Sequence, residues 1–243
     1  MNLTPEIIKE LREKSGAGMM DCKKALEESD GNVEKAIEWL RKKGINTAQK
    51  KSSRSASDGL ITIKIADSKG IIIEVNAETD FVARNENFQK FCDELALTGL
   101  KNNAENVESL LNCKSHDAHQ NVQENLTNLI SKLGENIVIR KLVNINEKSD
   151  SLAKYLHNSI NQNSGKIGVL LSFKSNHETV KVSEFSKNIC MHIAAADPKS
   201  MNIESLDKSL VDKERSIYIE QLKSSNKPDE IIEKIVDGKI KKF

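Results

Sequence analysis

Asp80 and Phe81 stand side by side in a connector, offering a carboxylate and an aromatic ring to whatever the connector faces. The stretch 74–91, Glu-Val-Asn-Ala-Glu-Thr-Asp-Phe-Val-Ala-Arg-Asn-Glu-Asn-Phe-Gln-Lys-Phe, opens as the end of an apolar strand. It closes as the start of an amphipathic helix, with Phe88, Phe91, Cys92 and Leu95 on one face. Asn85 suits that helix as an N-cap. Connectors run over the surface and concentrate function. Phe81 therefore has two readings. In one it folds back under the helix as a packing residue, the usual fate of a large apolar side chain. In the other it projects outward and enters a pocket on a partner.

Other chemistry is sparse. Cys113-x-x-His116-x-x-His119 has metal-like spacing, and Asp117 could add an oxygen. Structural zinc sites usually carry paired spacings, which are absent, so a solvated loop is the favoured reading and neither metal nor cofactor is expected. No Gly-x-x-x-x-Gly-Lys-Ser/Thr loop occurs, so no phosphate cradle is expected. No nucleophile stands beside a credible base, which is weak evidence against an enzyme. His192 lies on an apolar helix and reads as a satisfied core residue. His157 reads either as a strand-surface histidine or as a contact.

Composition bounds the partners. The 243 residues carry 37 basic and 36 acidic side chains, a formal net charge of +1. The strongly basic field of a nucleic-acid binder is absent overall, so nucleic acid is an unlikely partner. Nothing approaches the run of about 18 apolar residues that spans a membrane. The first residues lack a secretory pattern. Cys22, Cys92, Cys113 and Cys190 lie far apart and read as free thiols, so a cytoplasmic protein is expected.

The expected fold is α+β. Residues 1–44 read as a three-helix unit. Thr4 and Pro5 open the first helix, Gly16 and Gly18 break the pattern, Asp30-Gly31 turns the chain, and Gly44 closes the third helix. Residues 45–57 are polar and basic and read as a flexible linker. With few contacts expected across it, removal of residues 1–54 should leave the core folded. From Gly59 the period becomes two. Ile61, Ile63 and Ile65, then Ile71, Ile73 and Val75, predict a hairpin with one buried face. Helices near 87–100, 104–111 and 120–133 and a strand at 137–145 complete a first core half, 58–146. The second half, 147–243, repeats the order. It has a hairpin at 152–157 and 166–173, then a helix carrying Phe185, Ile189, Ile193 and Ala196. Phe88-Gln89-Lys90 and Phe185-Ser186-Lys187 suggest a weak internal repeat. A helical hairpin is expected near 204–243.

The run 78–85, ETDFVARN, after a strand ending EVN, resembles the signature of the bacterial elongation factor Ts family. LREKSGAGMMDCKKALEE followed by GNVEKAIEWLRKKG is similar to the family's opening domain, of ubiquitin-associated type. The likeness continues through GENIVIRKL, GKIGVLL, MHIAA and GKIKKF. It implies two related core halves of antiparallel sheet and a projecting helical hairpin. It also implies a chain that continues beyond Phe243; one ending there would leave a sheet edge open to self-association.

The resemblance implies a guanine-nucleotide exchange factor for elongation factor Tu, a P-loop GTPase whose Mg²⁺ bridges the phosphates. Thr79, Asp80, Phe81 and Val82 would push in near that ion. Phe81 would be the apolar wedge, and Asp80 would fix the loop or compete for polar partners. Arg12, Met19 and Met20 would contact the partner's nucleotide-binding domain, and His157 would make a further contact. The factor itself would bind no nucleotide. The alternative is an RNA- or ribosome-associated adaptor using the basic segment and the helical hairpin.

Overall fold

The computed structural model describes residues 4–115, 120–146, 151–175, 180–223 and 228–240. Three helices open the chain: α1 (Pro5–Ser15), α2 (Met19–Glu28) and α3 (Val33–Lys51). Leu11, Cys22, Ala25, Leu26 and Ala36 are fully buried together between them. Gly16 closes α1 in the left-handed region at φ 67°, its N–H bonded to the Arg12 carbonyl. Asn32 caps α3 by accepting from the Lys35 N–H.

Gly44 does not end that helix. The helix runs on to Lys51, so part of the segment expected to be linker is helical. The reason lies on α7 (Val122–Leu133). A Cβ on Gly44 would sit 3.5 Å from Thr127 Cγ2, so the glycine is where α3 closes on α7. Arg41 pairs with Glu124 at 2.6 Å across the same contact, and Ala48 packs against the main core. Past the helix, Asn136 Nδ2 donates to the Ser52 and Arg54 carbonyls at 3.4 and 2.8 Å. Arg140 donates to the Ala56 carbonyl at 2.9 Å.

The main sheet pairs β1 (Asp58–Ala66) with β2 (Lys69–Ala77), β2 with β3 (Ile137–Asn146), and β1 with the short β5 (Ser164–Gly165), all antiparallel. A register shift in the β2–β3 pairing falls at Glu74/Val75. Ile71, Ile73 and Val75 are fully buried, as the period of two predicts. In β1 it is Leu60, Thr62 and Lys64 that pair with them, so Ile61, Ile63 and Ile65 lie on the opposite face. With Thr62 and Ile63 both fully buried, the hairpin buries two faces and not one. They share one core with Phe88, Cys92 and Leu95 of α5 (Glu86–Lys101), Leu110 of α6 (Val107–Asn112), and Leu126, Leu129 and Ile130 of α7. Asn85 caps α5, Asn121 caps α7 with a capping box, and Gly134 ends α7 at φ 76°. A four-residue helix, α4 (Asp80–Ala83), joins β2 to α5.

A second sheet pairs β4 (Ser151–His157) with β6 (Ile167–Phe173). Gly168 lets β6 lie against β1, because a Cβ there would meet Ile61 Cγ2 at 2.5 Å. The helix α8 (Val180–Ala196) follows and stops before Asp197-Pro198, since the residue before a proline avoids the helical region. The suggested repeat breaks down at its key residue: Phe88 is fully buried, whereas Phe185 is 66% exposed. His192 is exposed and no core residue.

From Ala196 onward the chain forms a unit of its own. Here α9 (Lys208–Lys223) and α10 (Asp229–Ile240) pack as a helix pair. Arg215 binds Glu233 at 2.5 Å and Asp237 at 2.8 Å, and Lys239 lies over the Tyr218 ring. All four cysteines are free. Burial pushes the Cys92 and Cys190 thiols up, away from the reactive thiolate. Among the described residues no helix is long and apolar enough to cross a membrane.

Two outcomes are expected. Gly99 lies under β2, where a Cβ would come 2.5 Å from Ile71 Cδ1, and Ile71 is itself fully buried. Gly99→Ala should cost about 1–3 kcal/mol through overpacking; an unchanged urea midpoint would contradict this. The contacts at Ala48, Ser52 and Arg54 also show that the segment expected to carry few contacts is attached to the core. Removing residues 1–54 should lower the melting temperature of what remains, and calorimetry showing no change would refute that.

Candidate partner-binding site

The turn after β2 is built from its ends inward. Ala77 is the last buried strand residue. Glu78 accepts from the Asn136 N–H at 2.6 Å and faces Arg54 at 3.6 Å. Thr79 is the N-cap of α4, its hydroxyl accepting from the Val82 N–H at 3.4 Å. The same residue is held from outside. Glu135 takes the Thr79 N–H at 3.0 Å on one carboxylate oxygen and the Thr79 hydroxyl at 2.7 Å on the other.

With the start of α4 so held, its four side chains part ways. Val82 and Ala83 point inward, 8% and 0% exposed, and join the main core. Phe81 points outward at 81% exposure. The packing reading of Phe81 is thereby excluded, since no part of the core covers the ring. Val82, which the resemblance includes in the contact segment, is a core anchor in the free chain. Asp80 lies on the surface, 3.5 Å from Arg84 one turn later. A carboxylate there also suits the first turn of a helix.

The remaining residues fall into two groups. His157 ends β4, exposed, with its Nδ1 3.1 Å from the Tyr155 hydroxyl. The loop that follows is tied to α4 by one side chain: Gln89 Nε2 donates to the Arg84 carbonyl at 2.9 Å, and Gln89 Oε1 accepts from Asn161 Nδ2 at 3.1 Å. Below that loop, Lys154 approaches the carbonyls of Ile63 and Gln162 and Asn163 Oδ1 at 3.2–3.5 Å. Burial, with the charge of Lys64, holds the Lys154 ammonium below the ordinary lysine range, while Asp93 opposes the shift. The structure thus connects the Thr79–Val82 segment to the loop after His157. Arg12, Met19 and Met20 form the other group. Arg12 is exposed on α1, and the methionines open α2 at 60% and 74% exposure. Among the described residues no hydrogen bond or ion pair joins them to α4. His116, Asp117 and His119 lie outside the described residues, so the spacing noted around Cys113 has no geometry to report.

Sequence reasoning missed Glu135, Gln89 and Asn161. Glu135 lies in GENIVIRKL, one of the runs that carry the resemblance, and that was its only signal. Chemically, what the turn offers is contact surface. An apolar ring and a carboxylate sit on a short, held turn, with adaptable methionines elsewhere on the surface.

Comparisons with known proteins give the family. The family model described as Elongation factor TS matches residues 78–243. Elongation factor Ts of Rhodospirillum centenum is 44% identical over 244 residues, covering 99% of this chain and 78% of that protein. Elongation factor Ts of Paramagnetospirillum magneticum is 45% identical over 241 residues, covering 99% and 77%. For Sinorhizobium medicae the figures are 40% over 243 residues, 100% and 79%. With a family model over most of its length and relatives at this identity, the chain belongs to the elongation factor Ts family.

Proposed function

We propose that the chain promotes release of GDP from elongation factor Tu, with Phe81 as the group that enters the partner near its Mg²⁺ and phosphate site. The observation that carries this reading is an exposed phenylalanine at the head of a turn whose neighbours Val82 and Ala83 are buried. The free chain leaves apolar surface in water that a partner can cover, and a turn anchored from below offers it in one direction. Asp80, beside it, would engage polar groups around the ion. The N-terminal helices would add a contact through Arg12, Met19 and Met20, and His157 would add one from the second sheet. No nucleotide would bind to the factor itself.

The thermodynamics follow from linkage. Binding that loosens GDP must itself be loosened by GDP, by the same factor. Each ~1.4 kcal/mol of differential contact changes nucleotide affinity about tenfold. The factor would therefore hold empty Tu tightly and leave when GTP arrives. The adaptor alternative loses ground, because basic side chains of the segment that suggested it are engaged internally. Lys51 bonds the Gly134 carbonyl and Arg54 faces Glu78.

Phe81→Ala tests the reading. With the ring exposed, its loss should move stability by less than ~0.5 kcal/mol. Stopped-flow GDP release from Tu should nevertheless lose most of its stimulation, because the contact is made with the nucleotide-loosened state. Asp80→Ala should weaken exchange in the same direction without opening a cavity. A folded Phe81→Ala protein that releases GDP at the normal rate would sink the proposal. So would binding to RNA that falls steeply with salt while exchange is absent.

A further inference from the structure

Thr79 belongs to the contact segment by resemblance, yet in this chain its polar atoms are turned inward. Its N–H and its hydroxyl both donate to Glu135, at 3.0 and 2.7 Å, while the hydroxyl oxygen accepts from Val82. No donor is left for a partner. The residue that holds Thr79 lies 56 positions away, between α7 and β3.

A four-residue helix has little stability of its own, because nucleation fixes several residues for the first hydrogen bond. Phe81, 81% exposed, adds no packing. Val82 and Ala83 hold the far end of the turn in the core. The near end is held by Glu135, and the two-oxygen grip fixes rotation as well as position, as a single contact could not. Because both its bonds run to an ionised group, the grip is stronger than a neutral pair. Holding the hydroxyl proton toward Glu135 also leaves the oxygen lone pair for the Val82 N–H, which completes the cap. Among the described residues Glu135 has no Lys or Arg partner. The neighbouring pair repeats the logic: Glu78 accepts the Asn136 N–H at 2.6 Å, so residues 78–79 and 135–136 clasp each other.

Resting on the exchange reading above, we infer that Glu135 is a positioning residue for exchange. Through Thr79 it holds α4 so that the Phe81 ring is presented ready-aimed. Without it the ring remains exposed but samples many directions, and the cost of ordering it falls on the exchange step. Met19, Met20 and His157 still serve the encounter, so the maximal rate should suffer more than the concentration dependence.

The experiment measures stimulated GDP release against factor concentration for wild type, Glu135→Ala and Glu135→Gln, with amide hydrogen exchange of Thr79 and Val82 alongside. Glu135→Ala should lower the plateau rate roughly tenfold, the scale of a hydrogen bond to a charged group. Its half-saturating concentration should stay within about twofold, the mark of an interaction made in the loosened state. Both amides should exchange faster, and urea unfolding should stay cooperative. Glu135→Gln, keeping one acceptor, should recover part of the plateau. A normal plateau in Glu135→Ala, or unchanged protection of the Thr79 amide, overturns the inference. Loss that glutamine does not relieve, or that accompanies loss of cooperative unfolding, overturns it too, as plain destabilisation. Full exchange by Phe81→Ala would instead sink the partner reading, and the amide measurements would still decide whether Glu135 holds the turn.

Discussion

Burial of one face of β2 against α5 is the constraint on which the rest depends. Ile71, Ile73, Val75 and Ala77 are all fully buried, so the strand cannot slip by one residue without exposing the whole row. At the other end Phe88, Cys92 and Leu95 fix the rotation of α5 about its axis. Between these two fixed elements only residues 78–85 are available. They must reverse from extended to helical within that span, and Val82 and Ala83 are drawn inward as they do so. Phe81, between Asp80 and the inward pair, is left on the outer side of the turn. The exposed aromatic is therefore a consequence of where the core is.

The N-terminal helices attach by the same kind of packing. Gly44 gives α3 a bare patch, Thr127 fills it, and Arg41 reaches Glu124 beside it. Asn136, 5% exposed, then ties the chain at Ser52 and Arg54 to the start of β3. The residues that clasp the contact turn and those that secure the N-terminal segment are thus neighbours in sequence, Glu135 and Asn136. A buried amide serves one task and a partly buried carboxylate the other.

What was legible in the sequence followed the range of the interaction. The caps at Asn85 and Gly134, the alternation in β2, and the apolar stripe of α7 are set within a few residues, and they read correctly, whereas β1, covered on both faces, does not alternate. Gly44 read as a stop because a glycine after a helical stripe usually is one. Its actual neighbour lies on another helix, which no local pattern reveals. Phe88 and Phe185 sit in similar local runs but differ fully in burial, which no local pattern sets. The direction of Phe81 was undecided on chemistry alone, which favours burial for a large apolar side chain. Resemblance tipped it outward. The support of the turn by Glu135 could not be read at all, because it joins residues far apart in the chain.

Leaving Phe81 in water forgoes the roughly 1.5–3 kcal/mol that burying such a side chain would contribute. Against a total stability of about 5–15 kcal/mol that is a sizeable concession for one residue. The turn offsets it locally with buried Val82 and Ala83 and with the two bonds from Thr79 to Glu135. The forgone burial is not lost to the system, since the same apolar area becomes available whenever a partner covers the ring. A contact built this way favours the partner state that has room for the ring and disfavours the state that does not. Departure from the usual rule of burial, at a turn otherwise fully satisfied, is where function is expected to reside.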